Sequence, residues 1–192
     1  MIYFLSGFLF TLLSLKFIKP LLKKNFVAIP NERSSHKAST PSGGGVSFVI
    51  SFFIIIILDG IGNQFFSNNI NILFPSSFLA LVGLLDDYYD LPKSIRFLSQ
   101  ILVVIWIISC SNFSESTLFL QILLGFIGIS TINFFNFIDG IDGLLAGSMI
   151  ILLSASILFL SLSSVFWALV GGLILFLFFN WNPAKIFMGD TG

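Results

Sequence analysis

Seven apolar stretches of near-membrane length, separated by short polar segments, govern what this chain can fold into. They are Ile2–Leu22, Val46–Ile61, Ile70–Leu85, Ile95–Cys110, Leu118–Phe137, Leu144–Leu160 and Val165–Phe179. A helix crosses the hydrocarbon core of a bilayer with about 20 apolar residues, in a range of roughly 17–25. The third stretch is the weakest, being short and interrupted by Pro75. The last two cannot form one helix, which would run on the order of 54 Å at 1.5 Å per residue against a core of ~30 Å. A turn is therefore expected at Ser161-Leu162-Ser163-Ser164. Composition agrees: only 9 % of residues are charged and 56 % are hydrophobic, whereas a soluble domain carries about 25 % charge. These values exclude a soluble α/β enzyme, a disordered chain and a basic nucleic-acid binder. The one cysteine, Cys110, excludes an intramolecular disulfide and a cysteine-based zinc site. The expected fold is all-α, a polytopic bundle of about seven transmembrane helices.

The basic residues orient it. All nine Lys and Arg fall at the end of span one or in the first, third and terminal polar segments, hence on one side, which the positive-inside rule makes cytoplasmic. The N-terminus is then outside. Span one is expected to be retained, because nothing basic precedes its apolar run and no small-residue cleavage site follows. Asp59 and Glu115 fall outside and the other seven acids inside.

Four polar islands occupy the inner side. The first connection holds Pro30-Asn31-Glu32-Arg33-Ser34-Ser35-His36-Lys37 and, after it, Gly43-Gly44-Gly45 at the mouth of span two. A glycine run there can leave backbone N–H groups open to an anion, although a flexible basic loop serving orientation alone reads the same way. The third connection holds Asp86-Asp87-Tyr88-Tyr89-Asp90. If the helix continues, all three carboxylates share one face, until Pro92 ends it. Adjacent carboxylates repel one another unless a cation sits between them, and Mg²⁺ is the natural guest, being hard, oxygen-seeking and shared with substrate phosphates. A solvated acidic helix end is the plainer alternative, but charge is costly at a membrane boundary.

The fifth connection, Asn133 to Gly143, contains no Lys or Arg, so orientation does not explain it. Asn133, Asn136 and Asp139 step by three and can line one broad helical face. Asp142 would drift to the far side unless Gly140 and Gly143 let the chain turn back, and paired Asp-Gly units also make ordinary tight turns. The terminal segment closes on Met188-Gly189-Asp190-Thr191-Gly192, weak by itself.

Taken together, PNERSSHKASTPSGGG, GLLDDYYDLP, NFFNFIDGIDGLLAG and NPAKIFMGDTG resemble the motifs of the polyprenyl-phosphate N-acetylhexosamine-1-phosphate transferases, glycosyltransferase family 4. The match runs from Pro30 to Gly192, and its RSSH wording is nearest the bacterial branch that starts O-antigen and related surface glycans. Ser39 and Ser42 depart from the Pro and Arg common in that first loop. Family members continue past the MGD motif into further helices and a His-containing loop, so the expectation is a single transferase domain, 1–192, incomplete at its C-terminus.

The resemblance implies transfer of an N-acetylhexosamine 1-phosphate from a UDP-sugar to polyprenyl phosphate, with release of UMP, at the cytoplasmic face of the bacterial inner membrane. It implies Mg²⁺, with Mn²⁺ as a substitute, held by Asn136 and Asp190. Asp86, Asp87 and Asp90 are then expected to act on the lipid phosphate, with His36, Lys37, Asn133, Asp139 and Asp142 in the substrate pocket. A homodimer is compatible with it. A cation or proton transporter is the rival from another class, since membrane acids also mark ion paths. It requires carboxylates near the midplane rather than at span ends. An inactive membrane fragment is the second rival.

Overall fold

The computed structural model describes residues 1–25, 27–28, 39–60 and 65–192. Among these the regular structure is helical, apart from a two-residue antiparallel pairing of Val27–Ala28 with Thr40–Pro41 that the sequence did not announce. The helices are α1 (Ile2–Asn25), α2 (Val46–Gly60), α3 (Phe65–Tyr89), α4 (Lys93–Ser109), α5 (Leu118–Ile138), α6 (Leu144–Phe159) and α7 (Trp167–Asn180). One helix corresponds to each apolar stretch. The expected break after α6 is present: Ser161 adopts φ 56°, and Ser163 caps a 3-10 turn at Ser164–Phe166 that leads into α7.

Length separates the helices into two groups. By length and composition Ile2–Leu22, Asn69–Tyr89 and Leu118–Ile138 can cross a membrane, whereas Val46–Asp59, Leu144–Phe159 and Ser164–Asn180 are shorter apolar helices. The chain is thus of the polytopic membrane type, and among its described residues three of the seven helices reach spanning length. The third stretch is longer than expected, because α3 begins at Phe65 and runs through Pro75. Proline is tolerated inside apolar helices when neighbouring hydroxyls keep the polar groups internally paired. Here Ser76 and Ser77 donate to the carbonyls of Ile72 and Leu73 in that turn.

Small residues bring the central helices together. A side chain at Gly7 of α1 would overlap the Ala168 carbonyl, and one at Gly171 of α7 would overlap that of Phe4. The two backbones are therefore in direct contact, as membrane helices pack where glycine allows it. Around this seam lies a core of Leu15, Leu22, Phe48, Leu173, Phe176, Ile186 and Met188. A second cluster joins Phe52, Ile55, Ile56, Leu73, Val165 and Ala168. No residue of α5 is buried, and Phe119, Phe126 and Phe137 on it are largely exposed, as befits a surface facing lipid rather than water.

The contacts also order the helix ends. Tyr3 at the start of α1 donates to Asp59 at the end of α2, 2.5 Å away, while Gly7 lies against Ala168 at the start of α7. Hence α1 and α7 run parallel and α2 runs against them. At the other end of the bundle, the entry to α2 receives the segment that follows α7: Gly44 and Gly45 donate to the carbonyls of Phe187 and Met188 at 2.9 and 2.8 Å.

Candidate active site

That end of the bundle gathers the acidic islands. Asp87, in the last turn of α3, is fully engaged by the terminal segment. Its Oδ1 accepts the Asp190 N–H at 3.0 Å, and its Oδ2 accepts the Thr191 N–H at 3.2 Å and the Thr191 hydroxyl at 2.8 Å. The turn reaches this position because Gly189 adopts φ 76°, a conformation glycine takes at no steric cost. It also needs Gly83, one turn before Asp87, where a Cβ would fall on the Asp190 carbonyl.

Asp86 is buried and points to a different set of partners. Its Oδ1 accepts the Leu91 N–H at 2.8 Å. Its Oδ2 lies 2.7 Å from Arg96 Nη1, and the same nitrogen lies 2.8 Å from Asp190 Oδ2. Arg96 sits in the first turn of α4, behind Pro92, and so joins two carboxylates from distant segments. Asp90 does not continue the helical face on which the sequence had placed it. The helix stops at Tyr89, Asp90 takes φ 51°, and its N–H returns to the Asp86 carbonyl. Its side chain is exposed.

The end of α5 supplies the third wall. Asp139 is the last-turn cap of that helix, and its carboxyl is pushed up to about 7 by burial, with the charges of Asp190 and Asp87 adding to the effect and the Gly189 N–H opposing it. The Asp190 carboxyl is likewise raised to about 7, by burial first, then by the Asp86 carboxyl against it and the charge of Asp87. Arg96 pulls the other way. Arg96 thus bridges two of the four acids, Asp86 and Asp190, and negative charge is in excess around Asp139 and Asp190.

Other expected residues serve as ties. Asn133 donates to Gln100 of α4 at 2.8 Å and to the Ile129 carbonyl at 2.9 Å, so its amide links α5 to α4. Asn136 is exposed one turn before Asp139. Asp142 accepts the Ala184 N–H at 3.0 Å, and Gly143 at φ 74° makes the turn that brings it back. Asn180 completes the junction, accepting from the Gly143 N–H and donating to the Ile186 carbonyl. His36 and Lys37 lie outside the described residues.

One expectation is corrected. Two of the three glycines at the mouth of α2 do not hold free N–H groups, since Gly44 and Gly45 both donate to the terminal segment. A Cβ on Gly44 would meet Ile186, Phe176 and Phe187 within 2.9 Å, and one on Gly45 would meet Gly192 at 2.5 Å. Gly44 and Gly45 are a seat for backbone, not an anion cradle. Conversely, Arg96, Gln100, Thr191, Gly83 and Asn180 were not singled out from the sequence. Arg96 carried one usable signal, its place in the first helical turn after the Asp86-Asp87 island.

The donor set suits a hard cation. Among the described residues no three His, Cys, Asp or Glu side chains enclose a metal by themselves. Asp190 and Asp139 nevertheless offer oxygens amid uncompensated negative charge, with Asn136 on the same helix end. Mg²⁺ usually takes only one or two carboxylates and completes its shell with phosphate and water, so these residues fit it.

The family model for glycosyl transferase family 4 matches residues 69–192. The chain belongs to that family. Its relatives include the probable undecaprenyl-phosphate N-acetylglucosaminyl 1-phosphate transferase of Bacillus subtilis (strain 168), 34 % identical over 219 aligned positions that cover 100 % of this chain and 60 % of that protein. The undecaprenyl-phosphate alpha-N-acetylglucosaminyl 1-phosphate transferase of Thermotoga maritima is 32 % identical, covering 88 % of this chain and 53 % of its own length. The phospho-N-acetylmuramoyl-pentapeptide-transferase of Deinococcus radiodurans is 30 % identical, covering 81 % and 58 %. The chain therefore spans between half and two thirds of the length of these curated relatives.

Proposed function

We propose that the protein transfers an N-acetylhexosamine 1-phosphate from a UDP-sugar to polyprenyl phosphate and releases UMP. The observation that carries this is the convergence of Asp86, Asp87, Asp139 and Asp190 with Arg96 at one end of an apolar bundle. An anionic lipid headgroup and a soluble nucleotide meet only at such an end. A prenyl phosphate has its second pKa near 6 and is largely dianionic at neutral pH, so it needs no base. It needs to be held in line with the β-phosphorus while charge is neutralised. One of its oxygens bonds to that phosphorus as the bond to the bridging oxygen breaks, and UMP departs with the electron pair.

The residues divide accordingly. Asp87 and Asp86 have their oxygens committed to N–H and hydroxyl donors, which supports positioning over proton transfer. Asp190, Asp139 and Asn136 would hold Mg²⁺, which when bound supplies the positive charge that the diphosphate and its leaving group need. Asp90, exposed at the rim, and the first-loop residues His36 and Lys37 complete the substrate region in this reading. The donor is read as UDP-N-acetylglucosamine or a close N-acetylhexosamine for a surface glycan, because the Bacillus subtilis relative aligns over the whole chain and the muramoyl-pentapeptide transferase over less of it. The face is the cytoplasmic face of the bacterial inner membrane, from the sidedness of the basic residues.

Membranes bearing the protein should convert UDP-N-acetylglucosamine and undecaprenyl phosphate into UMP and a lipid-linked sugar, in a Mg²⁺-dependent manner. Cation flux in sealed vesicles without nucleotide sugar, lost in Asp86→Asn, would replace this reading with a transporter.

A further inference from the structure

Arg96 stands where the cation of the proposed reaction is needed. A single nitrogen, Nη1, is 2.7 Å from Asp86 Oδ2 and 2.8 Å from Asp190 Oδ2. Both are charge-assisted hydrogen bonds of short length. The helix turn that carries it is anchored: the Arg96 backbone N–H bonds to the Pro92 carbonyl, and one turn further along α4 Gln100 is tied to Asn133 of α5. Asp190 is held as well, through its backbone N–H on Asp87. Both partners are thus anchored through their backbones, and a cation that approaches Asp190 Oδ2 meets a guanidinium already bonded to that oxygen.

We propose that Arg96 is a built-in counter-ion that competes with a divalent cation for Asp190, lowers the protein's metal affinity in the absence of substrate, and is released when the metal enters. The inference rests on the metal reading above. It makes Arg96 a positioning residue whose side chain is a third exposed and whose guanidinium is freed at the end of the bundle where anionic phosphates arrive. A purely structural Arg96, needed to assemble the carboxylates, predicts the opposite sign, since its removal would scatter the ligands.

The test is metal binding by the purified protein in detergent without substrates, with Mn²⁺ as probe and free Mn²⁺ read by electron paramagnetic resonance. Arg96→Gln should bind Mn²⁺ at least ~10-fold more tightly than the parent, equivalent to about 1.4 kcal/mol, and Arg96→Lys, which keeps the charge, should stay close to it. Unchanged or weaker binding by Arg96→Gln overturns the proposal. A second measurement needs no variant. The chain has two arginines, Arg33 and Arg96, and phenylglyoxal modification of each can be followed by mass spectrometry. Saturating Mg²⁺ should accelerate modification of Arg96 severalfold relative to Arg33, whereas protection or no change sinks the competition even if Arg96→Gln fails to fold. Metal binding that Asp190→Asn abolishes but Arg96 does not oppose leaves the metal reading standing without this one. No binding by the parent or by Arg96→Gln removes both.

Discussion

Asp87 and Asp190 lie 103 residues apart in the chain and meet through a backbone N–H to carboxylate hydrogen bond of 3.0 Å. The bond matters because it sets the Asp190 carboxyl, through its own backbone, against Asp86, Asp139 and Arg96. An interior acid pair of this kind is tolerable only because Asp87 is satisfied by three donors. The remaining charge is left for a cation.

Removing that satisfaction should be costly for turnover. Asp87→Asn leaves one acceptor oxygen and sets an amide NH2 against the donors on the other side, either the Asp190 N–H or those of Thr191, and Asp86→Asn weakens the Arg96 bridge. Each is expected to lower sugar-phosphate transfer by at least ~10²-fold, assayed as UMP release, while Tyr88→Phe should matter far less.

Asp190→Asn should abolish transfer, by about 10²–10³-fold or more, and leave the protein folded and membrane-inserted. Its backbone N–H, not its side chain, makes the contact with Asp87. Near-normal turnover at ordinary Mg²⁺ would remove Asp190 from the site.

Gly83 offers a test with no chemical group removed. A Cβ there overlaps the Asp190 carbonyl, so Gly83→Ala must push the terminal turn off α3. Overpacking of this kind costs about 1–3 kcal/mol, and activity should fall sharply while the helix content measured by circular dichroism holds. Unchanged activity would show that the close approach is dispensable.

The raised carboxyls predict a pH dependence. Asp139 and Asp190 hold protons up to about 7 when folded without metal, whereas an unfolded carboxyl releases its proton near 3.9. The folded state thus binds more protons between these values, so stability is full below the lower one and declines as pH rises through about 7. In chelator, thermal unfolding in detergent should occur at lower temperature at pH 8 than at pH 5.5. Asp139→Asn should flatten the difference, and Mg²⁺ should stabilise more at pH 8. A pH-independent midpoint would contradict this.

Orientation is checked at Cys110, exposed in the connection between α4 and α5. An impermeant thiol reagent should label it in intact cells. Ser94→Cys in a Cys110→Ser background should resist the reagent. The reverse pattern would invert the topology.

By itself the sequence determined the membrane class, the places of all seven helices and the break before Ser164, because apolar run length and sparse charge are local properties that the bilayer reads directly. Through their motifs it also singled out Asp86, Asp87 and Asp90 in one island, Asp139 and Asp142 in another and Asp190 in the last. Only the tertiary structure decided how they are used. Whether Asp90 shares the helical face depended on where α3 stops, and Gly43 to Gly45 looked open to an anion until the Phe187–Met188 carbonyls took the N–H groups of Gly44 and Gly45. Arg96 reads in the sequence as one more charge on the inner side. Its role arises from two hydrogen bonds to residues 10 and 94 positions away, and contacts of that range are made by packing, not by any local propensity of the chain.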